Sequence, residues 1–323
     1  MRYTHTESSD YKSFSNMTGK YDVVIIGGGP AGLTAGLYTS RAMMKSLLIE
    51  KGIPGGQMAT TYRIENYPGF DEGISGLELS QRMERQARKF GLEFSSGRVE
   101  EIRLDDNEKV LITDDGLEIR TKALIIATGV EPKSLKVDGE ERFRGRGVSY
   151  CATCDGAFFR DKKIAVIGGG DSALEEALFL TRFAEEIFII HRRDKLRATR
   201  ILQERAFEES KIKFIWDSFV EKIEGDDTVN KIVIRNLKND KTEFFSVSGV
   251  FIYIGSNSNT EFLRGLVNLD SNGFIITDEK MATSVPGIYA AGDVRTKTLK
   301  QIATAVGDGA IAAKSAEKYI EDK

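Results

Sequence analysis

Cysteine and histidine are scarce in this chain of 323 residues, which contains only two of each. A structural zinc site needs four ligands of these types, and His5 lies in a polar N-terminal stretch, so the sequence argues against a metal site. One cysteine pair is also too few for the disulfide framework of a small secreted protein. We therefore expect a protein of the reducing cytoplasm.

Long apolar runs and an excess of one charge are also missing. The longest apolar stretches, near residues 23–26 and 124–127, are far below the roughly 20 residues of a spanning helix, so no membrane partner is expected. The 46 basic and 49 acidic residues give a net charge of −3, which gives no reason to expect nucleic acid. Residues 1–19 lack the apolar core of a secretory signal and are predicted to be a flexible tail.

Both cysteines fall in one pentapeptide, Cys151-Ala152-Thr153-Cys154-Asp155. Two thiols at this spacing can close a disulfide and exchange it with a partner. A purely structural disulfide across so short a loop would stabilise the fold by only about 2 kcal/mol, so we favour a redox role. From the pentapeptide alone, Asp155 is either a proton donor to a leaving thiolate or a turn or helix-cap aspartate.

A predicted strand begins at Tyr21 and is followed by a glycine turn and a helix. Gly27, Gly29 and Gly32 fit the G-x-G-x-x-G pattern, whose glycines permit a tight turn, close approach of a pyrophosphate and close helix packing. A second strand ends at Glu50, 23 positions after Gly27 (50 − 27). An acid at that distance accepts hydrogen bonds from ribose hydroxyls, so the sequence predicts a dinucleotide site.

The same pattern returns 141 positions later (168 − 27), where Gly168, Gly170 and Ala173 follow another strand. At the position that matches Glu50, this second copy has His191, followed by Arg192, Arg193 and Arg197, which we interpret as a cluster of cations. A guanidinium cluster suits a 2′-phosphate, whereas an acid suits a free 2′-hydroxyl. The alternative is a basic surface turn, and the repeat of the nucleotide-binding pattern argues against it.

The remaining segments complete an α/β pattern. We predict a helix over 77–90, strands over 109–113 and 117–120 joined by an Asp114-Asp115-Gly116 hairpin turn, a further strand over 123–127 and a long helix over 301–319. Strands near 213–216, 220–223, 231–236 and 244–245 are predicted to form a meander. Asp293 directly follows an apolar strand, where it is either a ligand-binding acid or a helix cap.

Together these residues resemble the low-molecular-weight thioredoxin reductases, from Tyr21 to Tyr319. The resemblance depends on the glycine turns and the cysteine pentapeptide, and also on these segments: Gly56-Gln57, Glu65-Asn66-Tyr67-Pro68-Gly69, Ala127-Thr128-Gly129, His191-Arg192-Arg193 with Arg197-Ala198, and Gly292-Asp293-Val294. It implies an α/β fold with two Rossmann-like dinucleotide-binding domains, the second inserted into the first. The implied parts are a tail at 1–19, an FAD-binding domain at 20–130 and 257–323, and an inserted NADPH-binding domain at 131–256.

The resemblance also implies the chemistry and the residues that perform it. Electrons would pass from NADPH to FAD, then to the Cys151-Cys154 disulfide and finally to the disulfide of oxidised thioredoxin. Cys154 would lie beside the flavin, Cys151 would attack thioredoxin, and Asp155 would be the acid. The protein would be a homodimer whose inserted domain rotates between the two half-reactions.

The cofactor sites follow from the same resemblance. The residues implied for FAD are Gly27, Gly29, Pro30, Ala31, Gly32, Glu50, Lys51, Gly55, Gly56, Gln57, Asn66, Ala127, Thr128, Gly129, Gly292, Asp293, Lys300, Gln301 and Ile302. The residues implied for NADPH are Gly168, Gly170, Asp171, Ser172, Ala173, His191, Arg192, Arg193 and Arg197.

The chain departs from the family pattern at a few positions, and three alternative functions share part of that pattern. Ser256 and Ser258 replace the family's usual histidine and proline, which predicts a less rigid connection, and Lys300 replaces an arginine. A peroxide-system flavin subunit would carry a second cysteine pair ahead of residue 20, and a ferredoxin-NADP reductase would lack Cys151 and Cys154. A nucleotide-sensing module without turnover is the third alternative.

Overall fold

The computed structural model describes residues 20–61, 64, 66–106 and 108–323. The predicted tail at 1–19 and Glu65 therefore lie outside the described residues. The chain divides into two compact units. Unit 1 comprises the described residues within Met1–Tyr62, Tyr67–Glu131 and Asn257–Lys323, and unit 2 those within Arg63–Asn66 and Pro132–Ser256.

Unit 1 is built on a seven-stranded sheet. Its strands are β1 (Lys20–Ile26), β2 (Ser46–Glu50), β3 (Glu93–Ser96), β4 (Val99–Asp105), β5 (Glu108–Thr113), β6 (Glu118–Ile126) and, after unit 2 in the chain, β17 (Ile288–Ala290). The order is β3-β2-β1-β6-β5-β4, with β17 also on β6. Strands β1, β2, β3, β6 and β17 pair in parallel, whereas β4, β5 and β6 pair antiparallel. Residues 23–26 are buried on both faces, as the centre of a parallel sheet requires.

Three long helices belong to unit 1: α1 (Pro30–Arg41), α2 (Gly76–Lys89) and α6 (Ile302–Glu321). Pro30 occupies the first turn of α1, where its missing N–H costs nothing. The Ser75 hydroxyl accepts a hydrogen bond from Glu78 N and caps α2. Small residues of α1 and α6, among them Ala31, Ala312 and Ala316, share one buried cluster.

Unit 2 is built on a five-stranded parallel sheet of order β11-β10-β9-β15-β8. Its strands are β8 (Val148–Ser149), β9 (Lys163–Gly168), β10 (Glu186–Ile190), β11 (Ile212–Ile215) and β15 (Gly249–Tyr253). The helices are α3 (Ala152–Asp155), α4 (Asp171–Leu180) and α5 (Arg200–Glu208). A second, antiparallel sheet contains β12 (Ser218–Gly225), β13 (Val229–Asn236) and β14 (Thr242–Ser246).

The two chain connections between the units run side by side. Strands β7 (Val130–Pro132) and β16 (Ser256–Ser258) form a two-stranded sheet. Gly129 and Gly255, which flank this sheet, both have positive φ, +65° and +105°. The Ser258 hydroxyl donates to Gly273 O at 2.7 Å, so one of the two serines that replace the family's residues is fixed to unit 1.

The predicted fold class is confirmed, but several elements differ from the prediction or were not predicted, among them β7, β16, α3 and α5. The strands predicted at 117–120 and 123–127 are the single strand β6, whose first half alternates in burial against β5 and whose second half is fully buried. Strand β11 is not part of a meander, because it pairs in parallel with β10. Strand β8 was not predicted, since two residues carry no periodicity. Within the described ranges, no helix is long and apolar enough to cross a membrane.

Candidate active site

The cysteine pair closes a disulfide at the start of the short helix α3, in unit 2. Cys151 occupies the position before the helix, and its Sγ accepts a hydrogen bond from Cys154 N at 3.2 Å. Thr153 Oγ1 lies 3.4 Å from the same sulfur. Once the disulfide is reduced, both groups can donate hydrogen bonds to a Cys151 thiolate, which is the nucleophilic form of a cysteine.

Asp155 is the last residue of α3, and its carboxyl group is hydrogen-bonded to Ser149. The Ser149 hydroxyl donates to Asp155 Oδ2 at 2.6 Å. Burial raises the pKa of Asp155, and the hydrogen bond from Ser149 opposes that rise. Asp155 also precedes the short 3-10 helix Gly156–Phe159 as its N-cap residue, but its side chain makes no cap hydrogen bond there. A carboxyl group that is kept protonated more easily than usual is suited to donate a proton.

The second glycine turn joins β9 to α4, as predicted. At Gly168 a side chain would overlap Tyr253 O, whereas at Gly170 the space within 4 Å is open. Asp171 Oδ1 accepts from Thr199 N at 2.6 Å and so fixes the loop that follows the basic cluster. The turn thus has room for a phosphate at the beginning of α4, where helix N–H groups favour negative charge.

The basic cluster directly follows β10, next to this turn. Arg192, Arg193 and Arg197 are exposed, and within the described part of the chain none of their guanidinium groups makes an ion pair. They are therefore available to an anionic ligand. Arg197 N also donates to Gly169 O at 2.7 Å, which ties the cluster to the turn.

His191 differs from the arginines, and our interpretation of it as one of the cations is corrected here. Its ring is buried against the Gly169 backbone, and Nε2 lies 3.0 Å from Lys195 O. Burial lowers the pKa of His191, and the neighbouring arginines lower it further. His191 therefore shapes the turn as a neutral ring, with Nε2–H donating to the carbonyl oxygen.

The first glycine turn joins β1 to α1 in unit 1. A side chain at Gly32 would overlap Gly27 O, whereas Gly29 has nothing within 4 Å of the position of a Cβ. Glu50 stands at the end of β2 beside this turn, and its Oε2 accepts from Gly28 N at 2.6 Å. The turn and the acid therefore meet at the carboxyl edge of the sheet, where Rossmann-type folds bind dinucleotides.

Asp293 supplies an independent indication of a ligand in unit 1. Its Oδ1 is buried and, among the described residues, has no hydrogen-bond partner. Burial raises the pKa of this carboxyl, against the influence of Lys297 and Lys300. A buried oxygen without a partner costs free energy, and a ligand hydroxyl would satisfy it. The residues present therefore fit the FAD group that the sequence implies.

All but one of the other residues implied for FAD belong to unit 1. Gly55 N donates to Gly28 O at 2.7 Å, and Gln57 Nε2 donates to Val130 O. Lys51 pairs with Glu131 at 2.9 Å, and Lys300 lies 3.5 Å from the centre of the Phe274 ring. Gln301 caps α6 and Ile302 begins it. Asn66 alone is grouped with unit 2.

Sequence reasoning missed two sets of buried residues. Ser149 carries no motif, and only its place before the cysteines could have suggested a role. Asp308 accepts hydrogen bonds from Gly292 N at 3.0 Å and Lys297 Nζ at 2.7 Å, with Arg295 at 3.5 Å. No pattern predicts that α6 returns to the Gly292 turn.

Among the described residues, no group of three or more His, Cys, Asp or Glu could hold a metal ion.

Two dinucleotide turns and one cysteine disulfide define the class of the protein. The family described as pyridine nucleotide-disulphide oxidoreductase matches residues 21–309. Thioredoxin reductases of Listeria innocua and Bacillus subtilis are each 50% identical over 303 residues, covering 94% of this chain and 94% and 95% of theirs.

Solved structures give the same family. The thioredoxin reductase of Streptococcus pyogenes is 50% identical, covers 94% of this chain and 99% of its own, and superposes with a TM-score of 0.91. That of Lactococcus lactis, in a state described as the FR conformation, is 52% identical with coverages of 94% and 100%, yet its TM-score is 0.65. The chain belongs to the thioredoxin reductase family. It is an NADPH-dependent oxidoreductase with FAD and NADPH as its cofactors.

Proposed function

We propose that this chain reduces the disulfide of an oxidised thioredoxin through Cys151 and Cys154, with electrons from NADPH. The observation that carries this proposal is the Cys151–Cys154 disulfide, which lies beside a buried carboxyl and in the same compact unit as the nucleotide turn with its free arginines. Bound FAD supplies a two-electron carrier between the nicotinamide and the disulfide. The chain's own residues bind the two nucleotides, accept the electrons as thiols and move the protons.

Cys151 is the sulfur that attacks thioredoxin in this proposal, and Cys154 is the sulfur reduced at the flavin. The hydrogen bond from Cys154 N to Cys151 Sγ favours a Cys151 thiolate, which is the reactive species in exchange. Asp155 donates a proton to the thiolate that leaves. Its raised pKa suits that task, and neither histidine of the chain belongs to the cysteine motif.

The cofactor sites are assigned to one unit each. Unit 1 corresponds to the FAD-binding domain, where the glycine turn, Glu50 and Asp293 would hold the dinucleotide and the loop at 300–302 the flavin ring. Unit 2 corresponds to the inserted NADPH-binding domain, where Arg192, Arg193 and Arg197 would bind the 2′-phosphate. The boundaries proposed from sequence, 130/131 and 256/257, lie within one residue of the main divisions between the compact units.

The proposal extends to partners and place. A single redox pair without further cysteines favours the reducing cytoplasm, and the homodimer is proposed from the family resemblance. Rotation of the inserted domain would account for the difference between the two relatives above, which are nearly equal in identity to this chain but superpose on it with TM-scores of 0.91 and 0.65.

An anaerobic NADPH titration of the purified protein tests the proposal in one cuvette. The flavin and the disulfide each accept two electrons, so we expect the wild-type protein to consume twice as much NADPH as the Cys154→Ser variant before the yellow colour is bleached. The reduced wild-type protein should then reduce added thioredoxin, and the variant should not. Equal NADPH consumption by the two proteins would contradict the proposed role of the cysteines.

A further inference from the structure

Ser149 is the buried last residue of β8, two positions before Cys151. Its strand is held in the sheet through parallel pairing with β15, where Phe251 is opposite Ser149. The Ser149 hydroxyl contacts both ends of the cysteine pentapeptide. Its Oγ accepts from Cys151 N at 3.1 Å and donates to Asp155 Oδ2 at 2.6 Å.

A second acceptor lies within reach of the same hydroxyl. Cys151 O is 3.3 Å from Ser149 Oγ. With Asp155 ionised, the hydroxyl hydrogen points to Oδ2. With Asp155 protonated, the carboxyl O–H can donate to Oγ while the hydroxyl hydrogen turns to Cys151 O, because a serine hydroxyl rotates to suit its partners. Both protonation states of Asp155 are thus satisfied without moving a heavy atom.

The proposed reaction requires both of these states. The Cys151 thiolate attacks one sulfur of the substrate disulfide, the substrate S–S bond breaks, and protonated Asp155 gives its proton to the leaving thiolate. Ionised Asp155 then takes the proton of the Cys154 thiol. The Cys154 thiolate attacks Cys151 Sγ, the enzyme disulfide forms again, and Asp155 protonates the second leaving thiolate. Two protons, from Asp155 and Cys154, leave with the two product thiols.

We propose that Ser149 is a positioning residue that holds Asp155 in register with the Cys151 backbone in both protonation states. This inference rests on the proposed role of Asp155. The other ionisable groups facing this carboxyl within unit 2 are Tyr253 of β15 and, beyond it, Glu176 of α4. Burial raises the pKa of both, Tyr253 well above its ordinary value. They therefore stay neutral more readily than usual, whereas Ser149 hydrogen-bonds directly to the Asp155 carboxyl group.

The test is the rate at which the prereduced enzyme is reoxidised by a disulfide, measured in a single turnover across pH. A donated hydrogen bond stabilises the carboxylate, so Ser149→Ala should raise the pKa of Asp155. We expect its pH profile to move to higher pH and its maximum rate to fall about tenfold or more. Ser149→Thr keeps the hydroxyl and should restore the wild-type profile. Ser46→Ala removes a buried hydroxyl that donates to Met44 O in unit 1 and is the matched control.

Each outcome decides one point. A Ser149→Ala enzyme that is slower by the same factor at every pH, with an unmoved profile, would overturn the inference and leave Ser149 a structural residue. If Ser149→Thr fails to fold, as judged by its thermal midpoint and bound flavin, the position of the Ser149→Ala profile alone decides. An Asp155→Asn enzyme that retains the wild-type profile would refute the proposed role of Asp155 itself.

Discussion

Two exposed arginines beside the second glycine turn, Arg192 and Arg193, test the choice of cofactor at the scale of single residues. Replacing both with glutamine removes two charge-assisted contacts to the 2′-phosphate, each worth about 1.5 to 3 kcal/mol. The preference for NADPH over NADH should therefore fall on the order of a hundredfold or more. The ratio of kcat/KM for the two nucleotides measures it.

The control for this variant is Arg205→Gln, because Arg205 is also exposed in unit 2 but lies on α5 outside the cluster. Its preference should equal that of the wild-type protein. A double variant that keeps the full preference for NADPH would mean that the cluster is a basic surface turn after all.

Asp155 allows a second prediction at the scale of single residues. Asp155→Asn keeps the side-chain shape but cannot donate an acidic proton, so thioredoxin turnover should fall by about 10²- to 10⁴-fold. Flavin binding should be unchanged, because Asp155 belongs to unit 2 and the residues proposed for FAD lie mainly in unit 1. Asp227→Asn, at an exposed position of unit 2, is the control. Unchanged turnover in Asp155→Asn would exclude the assignment.

The raised pKa of Asp155 also predicts a pH dependence of stability. The pKa of an unfolded aspartate is about 3.9, and burial raises the native pKa of Asp155 above its ordinary value. Between the two values the native state binds more protons, so stability falls as the pH rises through the native pKa. Asp155→Asn should lose this dependence and be at least as stable as the wild-type protein at neutral pH. Denaturant midpoints at several pH values would measure it, and a less stable variant would contradict it.

At the scale of elements, the glycine turns and their flanking strands and helices could be predicted because neighbouring residues in the sequence determine which residue type each position needs. A glycine such as Gly32 is required by a backbone atom next to it in the turn. Glu50 and His191 were aligned by counting, but counting could not show that His191 is buried and neutral. Ionisation depends on burial, and burial is a property of the packed unit.

The strands that were misassigned show the same limit. β11 has the apolar character of a meander strand, but its pairing with β10 is set by the crossover through α5. β8 is too short to show a sequence pattern. It nevertheless positions Ser149, whose hydroxyl hydrogen-bonds to Cys151 N and to Asp155. The motifs therefore identified the cysteines and the nucleotide turns. Residues such as Ser149 could be identified only from the packing around those motifs.

The packing of α6 on α1 allows a matched pair of substitutions in one helix. A Cβ at Gly309 would overlap Ala31 O, whereas at Gly307 nothing lies within 4 Å. Gly309→Ala must push α1 away and should destabilise the protein by about 1 to 3 kcal/mol. Because Ala31 belongs to the proposed FAD turn, FAD affinity should fall as well.

Gly307→Ala is the control for that change. Alanine favours the helix, so this variant should gain about 0.5 to 1 kcal/mol and keep its FAD. Thermal midpoints and flavin release on dilution measure both effects. If the two variants behave alike, the close approach of α1 and α6 does not constrain the FAD turn.

At the scale of the whole molecule, one small segment has two tasks. In the proposed mechanism, Cys154 has to reach the flavin to be reduced, and Cys151 has to reach a protein partner. The nicotinamide must also reach the same flavin, although the cysteines and the nucleotide turn belong to one unit. A single arrangement of the units cannot serve all three contacts. We therefore expect unit 2 to rotate as a body about the paired connections β7 and β16, where Gly129 and Gly255 have φ values open mainly to glycine.

A covalent tether between the units, set in the arrangement that places the disulfide at the flavin, tests this rotation. The tethered enzyme should be reduced by NADPH far more slowly than the untethered enzyme, because the nicotinamide cannot reach the flavin. Transfer from the flavin to the disulfide should stay normal when the flavin is reduced chemically instead, which shows that the tether has not damaged the site. Cleaving the tether should restore reduction by NADPH. If the tethered enzyme is reduced by NADPH at the normal rate, one arrangement serves both half-reactions and no rotation is needed.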